Sequence, residues 1–250
     1  MDWTTLRMFV RPATSFVRIE DLLHLDKQAV VGLFYPKKLV NTYFLKGRVV
    51  ILKHQNVRNR LIENTIKIIA ENGFDKTTTK AIVSGTGINE AYIYRDFADK
   101  EDLFVKVFEK LDEELFAKLM QHLPVIYMRE LEYELRCRVF FEAIWKFLID
   151  NKEKCLAFMR YYYSPYFKKY SADKHKQRYR PLVEKFSEAF IDEADVWMIL
   201  NHVLDVMLSF AVKVHSDQMP NEDSYSEHVF RVVYRSIEQY FKKKEVSDND

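Results

Sequence analysis

Side chains that could bind the phosphates and the base edges of DNA are concentrated between residues 78 and 100. Arginine can donate two hydrogen bonds to guanine, glutamate can accept one from the amino group of cytosine, and tyrosine can reach a phosphate or a thymine methyl group. Glu90, Tyr92, Tyr94 and Arg95 supply all three types within one short stretch. A hydroxyl at the start of a helix, as at Thr78, suits a phosphate because the free N–H groups there favour an anion.

Two short helices across a glycine turn would position these side chains. The sequence predicts one helix from Lys80 to about Gly85, which the preceding threonine run can cap, and a second over residues 90–97, which Asn89 can cap. The turn between them is Thr86-Gly87. A pair of this size fits a helix-turn-helix, whose second helix enters the major groove of DNA.

The second helix of this pair is predicted to have an inward and an outward face. Ile88, Ala91 and Ile93 are expected to pack inward. The residues expected to point outward are Glu90, Tyr92, Tyr94 and Arg95. The spacing alone fits equally well a helical hairpin of an all-α protein with its tyrosines in the core.

Helices are also predicted on both sides of the pair. The preceding one has a face of residues spaced three and four apart, which are Leu61, Ile62, Thr65, Ile66, Ile69 and Ala70. Gly73 follows, where a left-handed C-terminal cap needs a residue without Cβ. Asp99 and Asp102 offer a start resembling a capping box for the helix after the pair.

The stretch from Val57 to Leu103 resembles the N-terminal domain of the TetR family of transcriptional regulators. The resemblance rests on many spaced positions rather than on one short motif. The matching residues are Gly73, Thr77-Thr78, Ile82-Val83, Thr86-Gly87-Ile88-Asn89, Tyr94, Phe97 and Lys100-Glu101-Asp102-Leu103. Three positions depart from the family pattern: Val83 replaces a usual alanine, Ala91 a usual glycine, and Asp96 a common histidine.

The resemblance implies a set of contacts with double-stranded DNA. It implies that Thr78, Tyr94 and Lys100 contact the DNA backbone. It also implies that Glu90, Tyr92 and Arg95 contact bases or the backbone. The predicted DNA-binding residues are Thr78, Lys80, Asn89, Glu90, Tyr92, Tyr94, Arg95 and Lys100. Asp96 places a negative charge near the DNA, which argues against a phosphate contact from that position.

The composition of the chain favours an all-α fold with a proper core. The 250 residues are 48% hydrophobic, with only 5 Gly and 6 Pro, and long stretches have a helical period. The 19 Phe and 15 Tyr exceed the usual need of such a core, which indicates a cavity or a large interface. The net charge of +2 does not itself point to nucleic acid, so a local positive surface must attract phosphate.

Residues 57–99, with the first three predicted helices, are called the reading head here. Six further helices are predicted after it, which gives about nine helices in total. They span Lys100 to His122, Met128 to Asp150, Lys154 to Tyr163, Lys174 to Phe190, Asp192 to His215 and Ser224 to Lys244. The first would connect the head to the body.

The resemblance also implies a small-molecule effector held in the helical body and a homodimer formed by its last two helices. An aromatic lining would suit a hydrophobic or planar aromatic ligand. The candidate lining residues are Phe108, Phe140, Phe141, Trp145, Phe158, Tyr161, Tyr162, Trp197 and Met207. The candidate dimer contacts are Val196, Leu200, Val203, Met207, Val229, Val233, Ile237 and Tyr240. For each single lining residue, ordinary core packing remains an alternative.

The chain before the head does not match the family. Lys46-Gly47-Arg48 can be encoded by a purine-rich stretch like a bacterial ribosome-binding site, a few codons before Leu52. Leu52 is therefore a candidate non-AUG start, and the residues before it a translated leader. A Leu52 codon other than UUG or CUG would exclude this; the alternative is a genuine extension. The predicted domains are 1–52 (extension), 53–103 (DNA-binding), 104–245 (ligand-binding and dimerisation) and 246–250 (tail).

Other classes of protein find little support in the sequence. Cys137 and Cys155 form neither a CxxC site nor a disulfide framework, and no apolar run approaches the roughly 20 residues of a membrane span. No metal-ligand spacing and no catalytic or cofactor-binding motif is recognisable, so no metal, no cofactor and no enzymatic activity is predicted. The sequence therefore predicts a cytoplasmic repressor that releases a palindromic operator on binding its effector. The alternatives are a regulator of this fold controlled by a protein partner, and a helical carrier or enzyme.

Overall fold

The computed structural model describes residues 56–242. The proposed leader and start site, and the tail, therefore lie outside the described residues. Within residues 56–242 all regular secondary structure is helical, apart from an isolated antiparallel bridge between Phe190 and Phe241. The all-α prediction is confirmed, and nine α-helices follow one another along this part of the chain.

Three helices form the reading head. Helix α1 is described over residues 56–72, α2 spans Thr79–Val83 and α3 spans Ala91–Asp96. All six residues of the predicted inner face of α1 are buried. Gly73 ends this helix with a φ of +75°, and its N–H donates to the carbonyl oxygen of Ile69 at 3.0 Å. The predicted glycine cap is confirmed.

Six longer helices form the body. Their bounds are α4 Lys100–His122, α5 Tyr133–Asp150, α6 Lys152–Tyr162, α7 Ala172–Ser187, α8 Val196–His215 and α9 Asp223–Ile237. Helix α4 runs from the head into the body and is buried along one face, from Leu103 and Phe104 to Leu119. A single hydrophobic core therefore links the head and the body.

Three short segments account for the main differences from the predicted bounds. Glu238–Tyr240 forms a 3-10 helix, so α9 ends at Ile237 rather than at about Lys244. Leu123–Tyr127 forms a 3-10 helix, so α5 begins at Tyr133 rather than at Met128. Phe167–Ser171 forms a π-helical turn directly before α7, which the sequence did not predict. Such turns are rare and leave the following residues rotated relative to a regular α-helix.

Helix α8 corrects the prediction that no apolar run could span a membrane. Among the described residues, α8 is the one helix whose length and apolar composition would allow it to cross a membrane. The same features are found in core helices of soluble proteins, and the polar side chains of α8 bind within the chain: Tyr163 donates to Asp205 at 2.9 Å, and the His202 ring nitrogen lies 2.9 Å from the Ser236 hydroxyl.

Candidate nucleic-acid interface and effector region

The turn between α2 and α3 is held by its glycines and by side chains of α1. Gly85 and Gly87 have φ of +69° and +67°, which only glycine adopts at little cost. The Thr86 hydroxyl donates to the carbonyl oxygen of Val83 at 2.7 Å, and the amide of Asn64 donates to the carbonyl oxygen of Ile82 at 2.6 Å. These bonds orient α3 relative to the rest of the head.

Two of the predicted DNA-binding residues act as local caps in this structure. Thr78 is exposed at the N-terminus of α2, and its hydroxyl accepts from the N–H of Ala81 at 3.1 Å. The side-chain oxygen of Asn89 accepts from the N–H of Ala91 at 2.9 Å. Both caps fix the start of a short helix, as the sequence predicted.

Helix α3 presents a largely exposed surface. Ile93 is fully buried, whereas Tyr94 is 61% and Tyr92 38% exposed. Ile88 packs inward as predicted, but Ala91 is exposed, so its predicted inward position is wrong. The reason is geometric: Ala91 and Ile93 are two residues apart, about 200° around the helix, so they cannot both face the core.

Arg95 has a fixed environment on this surface. The Nε atom of Arg95 lies 2.8 Å from Oδ1 of Asp96, and its Nη2 atom lies 3.0 Å from Oδ2. The guanidinium carbon stands 4.1 Å from the ring centroid of Tyr92. The sequence marked Asp96 only as an unfavourable charge; the adjacency of opposite charges was the available signal for a pair.

The remaining candidate residues of the head differ in their burial and in their contacts. Lys80 is exposed and Glu90 is half-buried. Asp99 accepts from the N–H of Asp102 at 2.8 Å, and Asp102 accepts from the N–H of Ala98 at 3.0 Å. The start of α4 therefore resembles a capping box, with the return bond made to Ala98 rather than to Asp99. Lys100 turns towards the ring of Phe104, with its Nζ atom 5.5 Å from the centroid.

Four of the nine predicted lining residues form one aromatic cluster. Phe108 stacks on Tyr161 at 4.5 Å and lies 5.3 Å from Phe158, which stacks on Tyr162 at 5.8 Å. Burial raises the pKa of both tyrosines, which keeps their hydroxyls neutral. A cavity beside Phe158 measures about 20 Å³, enough for about one water molecule. The rings of this cluster therefore pack closely against one another, and the cavity beside them is too small for an effector.

The other predicted lining residues lie elsewhere. Phe141 and Trp145 line a groove of about 670 Å³ between α5 and the start of α9, together with Arg138 and Glu227. Phe140 packs against Phe186 at 5.6 Å. Trp197 lies near His175, at 6.3 Å between ring centroids, and Met207 is buried. The nine residues are not gathered around one cavity in this structure.

A buried charged cluster that the sequence did not predict joins α4 to α7. Asp112 is fully buried, and its Oδ1 atom lies 2.8 Å from Nδ1 of His175, while Arg178 binds its other oxygen. Tyr179 packs on His175 at 4.3 Å, and burial raises the pKa of this tyrosine well above its usual value. Asp112 follows the apolar face of α4 at helical spacing, and a carboxylate on such a face was the signal for a buried partner.

The predicted dimer contacts differ in how far the chain itself buries them. Five of the eight side chains are buried in the core of their own chain, which leaves little of them for a partner: Val196, Met207, Val229, Val233 and Ile237. Leu200, Val203 and Tyr240 are half-buried. The exposed large apolar residues of the two helices are instead Met198 and Val232, each 54% exposed. The apolar pattern did not distinguish the two sides of α8, and it did not show that the apolar face of α9 would be buried in the core of its own chain.

Comparison with known proteins agrees with this geometry. The model of the family described as "Bacterial regulatory proteins, tetR family" matches residues 61–107. No curated protein shows a significant match to the sequence.

Solved structures extend the likeness to the body. A TetR family transcription regulator from Marinobacter aquaeolei VT8 has a TM-score of 0.60 at 15% identity, over 72% of this chain and 94% of the other. A putative tetR family regulator from Shewanella sp. PV-4 has a TM-score of 0.60 at 14% identity, over 72% and 96%. The FadR regulator from Bacillus subtilis, solved in complex with stearoyl-CoA, has a TM-score of 0.56 at 15% identity, over 70% and 96%. At these identities the likeness shows the fold.

Proposed function

The chain carries the N-terminal domain of the TetR family over residues 61–107 and has the fold of TetR-family transcriptional regulators, and on this basis we propose that it represses transcription from a palindromic operator. Residues 53–103 would bind DNA and residues 104–245 would hold the effector and the dimer interface. Such a protein acts in the cytoplasm and is not an enzyme.

The observation that carries this proposal is the outer surface of α3. Tyr92, Tyr94 and Arg95 lie exposed on it, while Ile93 anchors the helix from below. Side chains of these types on a recognition helix can contact phosphates and base edges together. The eight predicted DNA-binding residues are therefore retained in the proposal, with Thr78 and Asn89 contributing partly by holding the helices that contact DNA.

A second copy of the chain is proposed to pack on α8 and α9. Met198 lies one turn from His202 on α8, and Val232 lies one turn from Ser236 on α9. Because His202 and Ser236 are hydrogen-bonded to each other, Met198 and Val232 lie on the same side of the helix pair. Two such pairs would form a four-helix interface. A twofold dimer would then read two half-sites with its two heads.

Release from the operator is proposed to follow binding of a small hydrophobic or aromatic effector. The regulator from Bacillus subtilis was solved with stearoyl-CoA, whose acyl chain is apolar, and this supports an effector with an apolar part for this fold. In this chain an effector among Phe108, Phe158, Tyr161 and Tyr162 must separate rings that now touch. It can shift the protein between states only if it binds the opened state more tightly.

The test is binding of the full chain to the DNA upstream of its own gene across a salt series. The proposal expects a footprinted site, affinity that falls steeply with salt because phosphate contacts release counterions, and loss of binding in Tyr94→Ala and Lys100→Ala. Leu135→Ala, at an exposed site on α5, is the matched control and should bind as the unaltered protein does. Weak binding without a salt slope or a mutant effect would contradict the proposal.

A second candidate is a DNA-binding regulator that responds to a protein partner. The close packing of the aromatic cluster, with a neighbouring cavity of only about 20 Å³, favours it. A screen of apolar ligands separates the two by measuring release of the protein from its operator. Release by such a ligand, lost in Phe158→Trp, supports the effector; release only on addition of a protein supports the partner.

A further inference from the structure

The pair formed by Arg95 and Asp96 leaves part of the guanidinium group available. Asp96 accepts from the side edge of the group, formed by Nε and one hydrogen of Nη2. An arginine has five N–H donors in a fixed plane. The end edge therefore keeps one hydrogen on Nη1 and one on Nη2, which point in parallel. That edge has the geometry that binds the O6 and N7 atoms of guanine in the major groove.

The rest of the surroundings restrict the same side chain. The carboxylate of Asp96 is only 7% exposed, whereas the side chain of Arg95 is 38% exposed. The guanidinium also stands over the ring of Tyr92, one turn earlier on the helix, at 4.1 Å. An arginine held by a buried carboxylate on one edge and an aromatic ring on one face loses less rotational freedom when it binds a base.

We propose that Asp96 is a positioning residue that holds Arg95, stacked on Tyr92, so that the end edge of its guanidinium reads a guanine in each half-site. The inference rests on the proposed DNA binding and deepens it by naming a base and the residues that select it. Asp96 itself contacts no base, and its negative charge is offset by Arg95 rather than directed at the DNA.

The opposing possibility makes a different quantitative prediction. If the charge of Asp96 acts only by repelling phosphates, then its removal strengthens binding to every sequence by the same factor. If Asp96 acts through Arg95, its removal changes the preference for one base at one position. The two effects are separable because phosphate contacts carry no sequence information.

The experiment is selection of bound duplexes from a randomised pool by the full chain, followed by affinities for matched duplexes that differ at one position. Four variants are compared with the unaltered protein: Asp96→Asn, Arg95→Ala, the double variant, and Asp75→Asn. Asp75 is an exposed residue of the head, in the turn before α2, so its variant changes the charge by the same amount away from Arg95. Thermal unfolding of each variant checks that the head is folded.

The unaltered protein is expected to prefer guanine at one position of each half-site by roughly 5- to 150-fold. Asp96→Asn should lower that preference by about 5-fold or more, Arg95→Ala should abolish it, and the double variant should match Arg95→Ala. Asp75→Asn should leave it unchanged.

Two outcomes overturn the inference. One is Asp96→Asn binding all duplexes more tightly with its base preference intact; the other is Arg95→Ala retaining the preference for guanine. Failure of the unaltered protein to select any sequence would instead contradict the proposed function, so the two failures are distinct. Should Asp96→Asn unfold the head, Asp96→Glu keeps the charge but moves the carboxylate, and it should lower the same base preference without changing the salt dependence.

Discussion

At the scale of single residues, the buried Asp112 offers a sharp test of electrostatics in the body. Its fully buried carboxylate contacts the His175 ring and neutralises Arg178, and removing one partner of a buried ion pair leaves charge buried without compensation. Asp112→Asn should lower the free energy of unfolding by about 3 kcal/mol, measured by urea denaturation. Glu113→Gln is the matched control, because Glu113 also binds Arg178, at 3.0 Å, but is 65% exposed. It should cost less than about 1 kcal/mol, and similar losses in both variants would contradict this account.

The two cysteines give a prediction that depends on pH. Burial raises the pKa of Cys137 and of Cys155 from 9.0 to about 12, so both thiols are protonated at pH 8, and thiols react only as thiolates. A disulfide reagent at pH 8 should therefore label them slowly in the native protein and rapidly in denaturant.

The same shift has a consequence for stability. A group whose pKa is raised on folding contributes stability below its unfolded pKa and loses it as the pH rises through the folded value. The free energy of unfolding should therefore fall between pH 9 and 12. Tyr127 and Tyr163, whose pKa is also raised to about 12, should add to this fall. A variant with both cysteines changed to alanine should lose less over that range; an identical loss would refute the thiol contribution.

At the scale of elements, the end of α1 tests how the head is joined to the body. Arg160 of α6 donates to the carbonyl oxygen of Ile69 at 3.0 Å, and a Cβ atom on Gly73 would lie 3.1 Å from the same guanidinium. Gly85 has a similar positive φ but open space around it. Gly85→Ala should cost about 1 kcal/mol from backbone strain alone. Gly73→Ala should cost about 1 kcal/mol more, because it also weakens a charged hydrogen bond. Equal costs in thermal or urea unfolding would show that Arg160 does not secure α1.

Several elements could be predicted from sequence because local signals agreed. Helix α4 has the predicted bounds, since Asp99 caps its start and one apolar face runs its whole length. The exposed positions of Tyr92, Tyr94 and Arg95 also followed from spacing. The π-helical turn before α7 did not, because its residues carry no local signal and tertiary packing decides the turn. The contacts of Arg95 with Asp96 required side-chain geometry that spacing does not contain.

At the scale of the whole molecule, the apolar pattern did not show which apolar side chains of α8 and α9 the core of the chain itself would bury. Helix α8 is apolar around much of its circumference, so periodicity fits either side. Helix α9 has one apolar face, and exposed polar residues such as His228, Arg231 and Arg235 lie on its other side. The structure resolves the ambiguity by burying Met207 and Val233 in the chain's own core and exposing Met198 and Val232. The exposed side chains of Met198 and Val232 therefore mark the surface that a second copy is proposed to cover.

The assembly can be tested by placing charges on that surface. Met198→Glu and Val232→Glu alter side chains that are 54% exposed, so they should change the stability of a single chain by only about 0.5 kcal/mol. In a dimer each variant buries unpaired charge against a partner, and sedimentation should show monomers at concentrations where the unaltered protein is a dimer. Operator affinity should fall with it, because a single head contacts one half-site. Val139→Glu, 40% exposed on α5, is the control: dissociation by this change, with the α8 and α9 variants still dimeric, would place the interface on α5 instead.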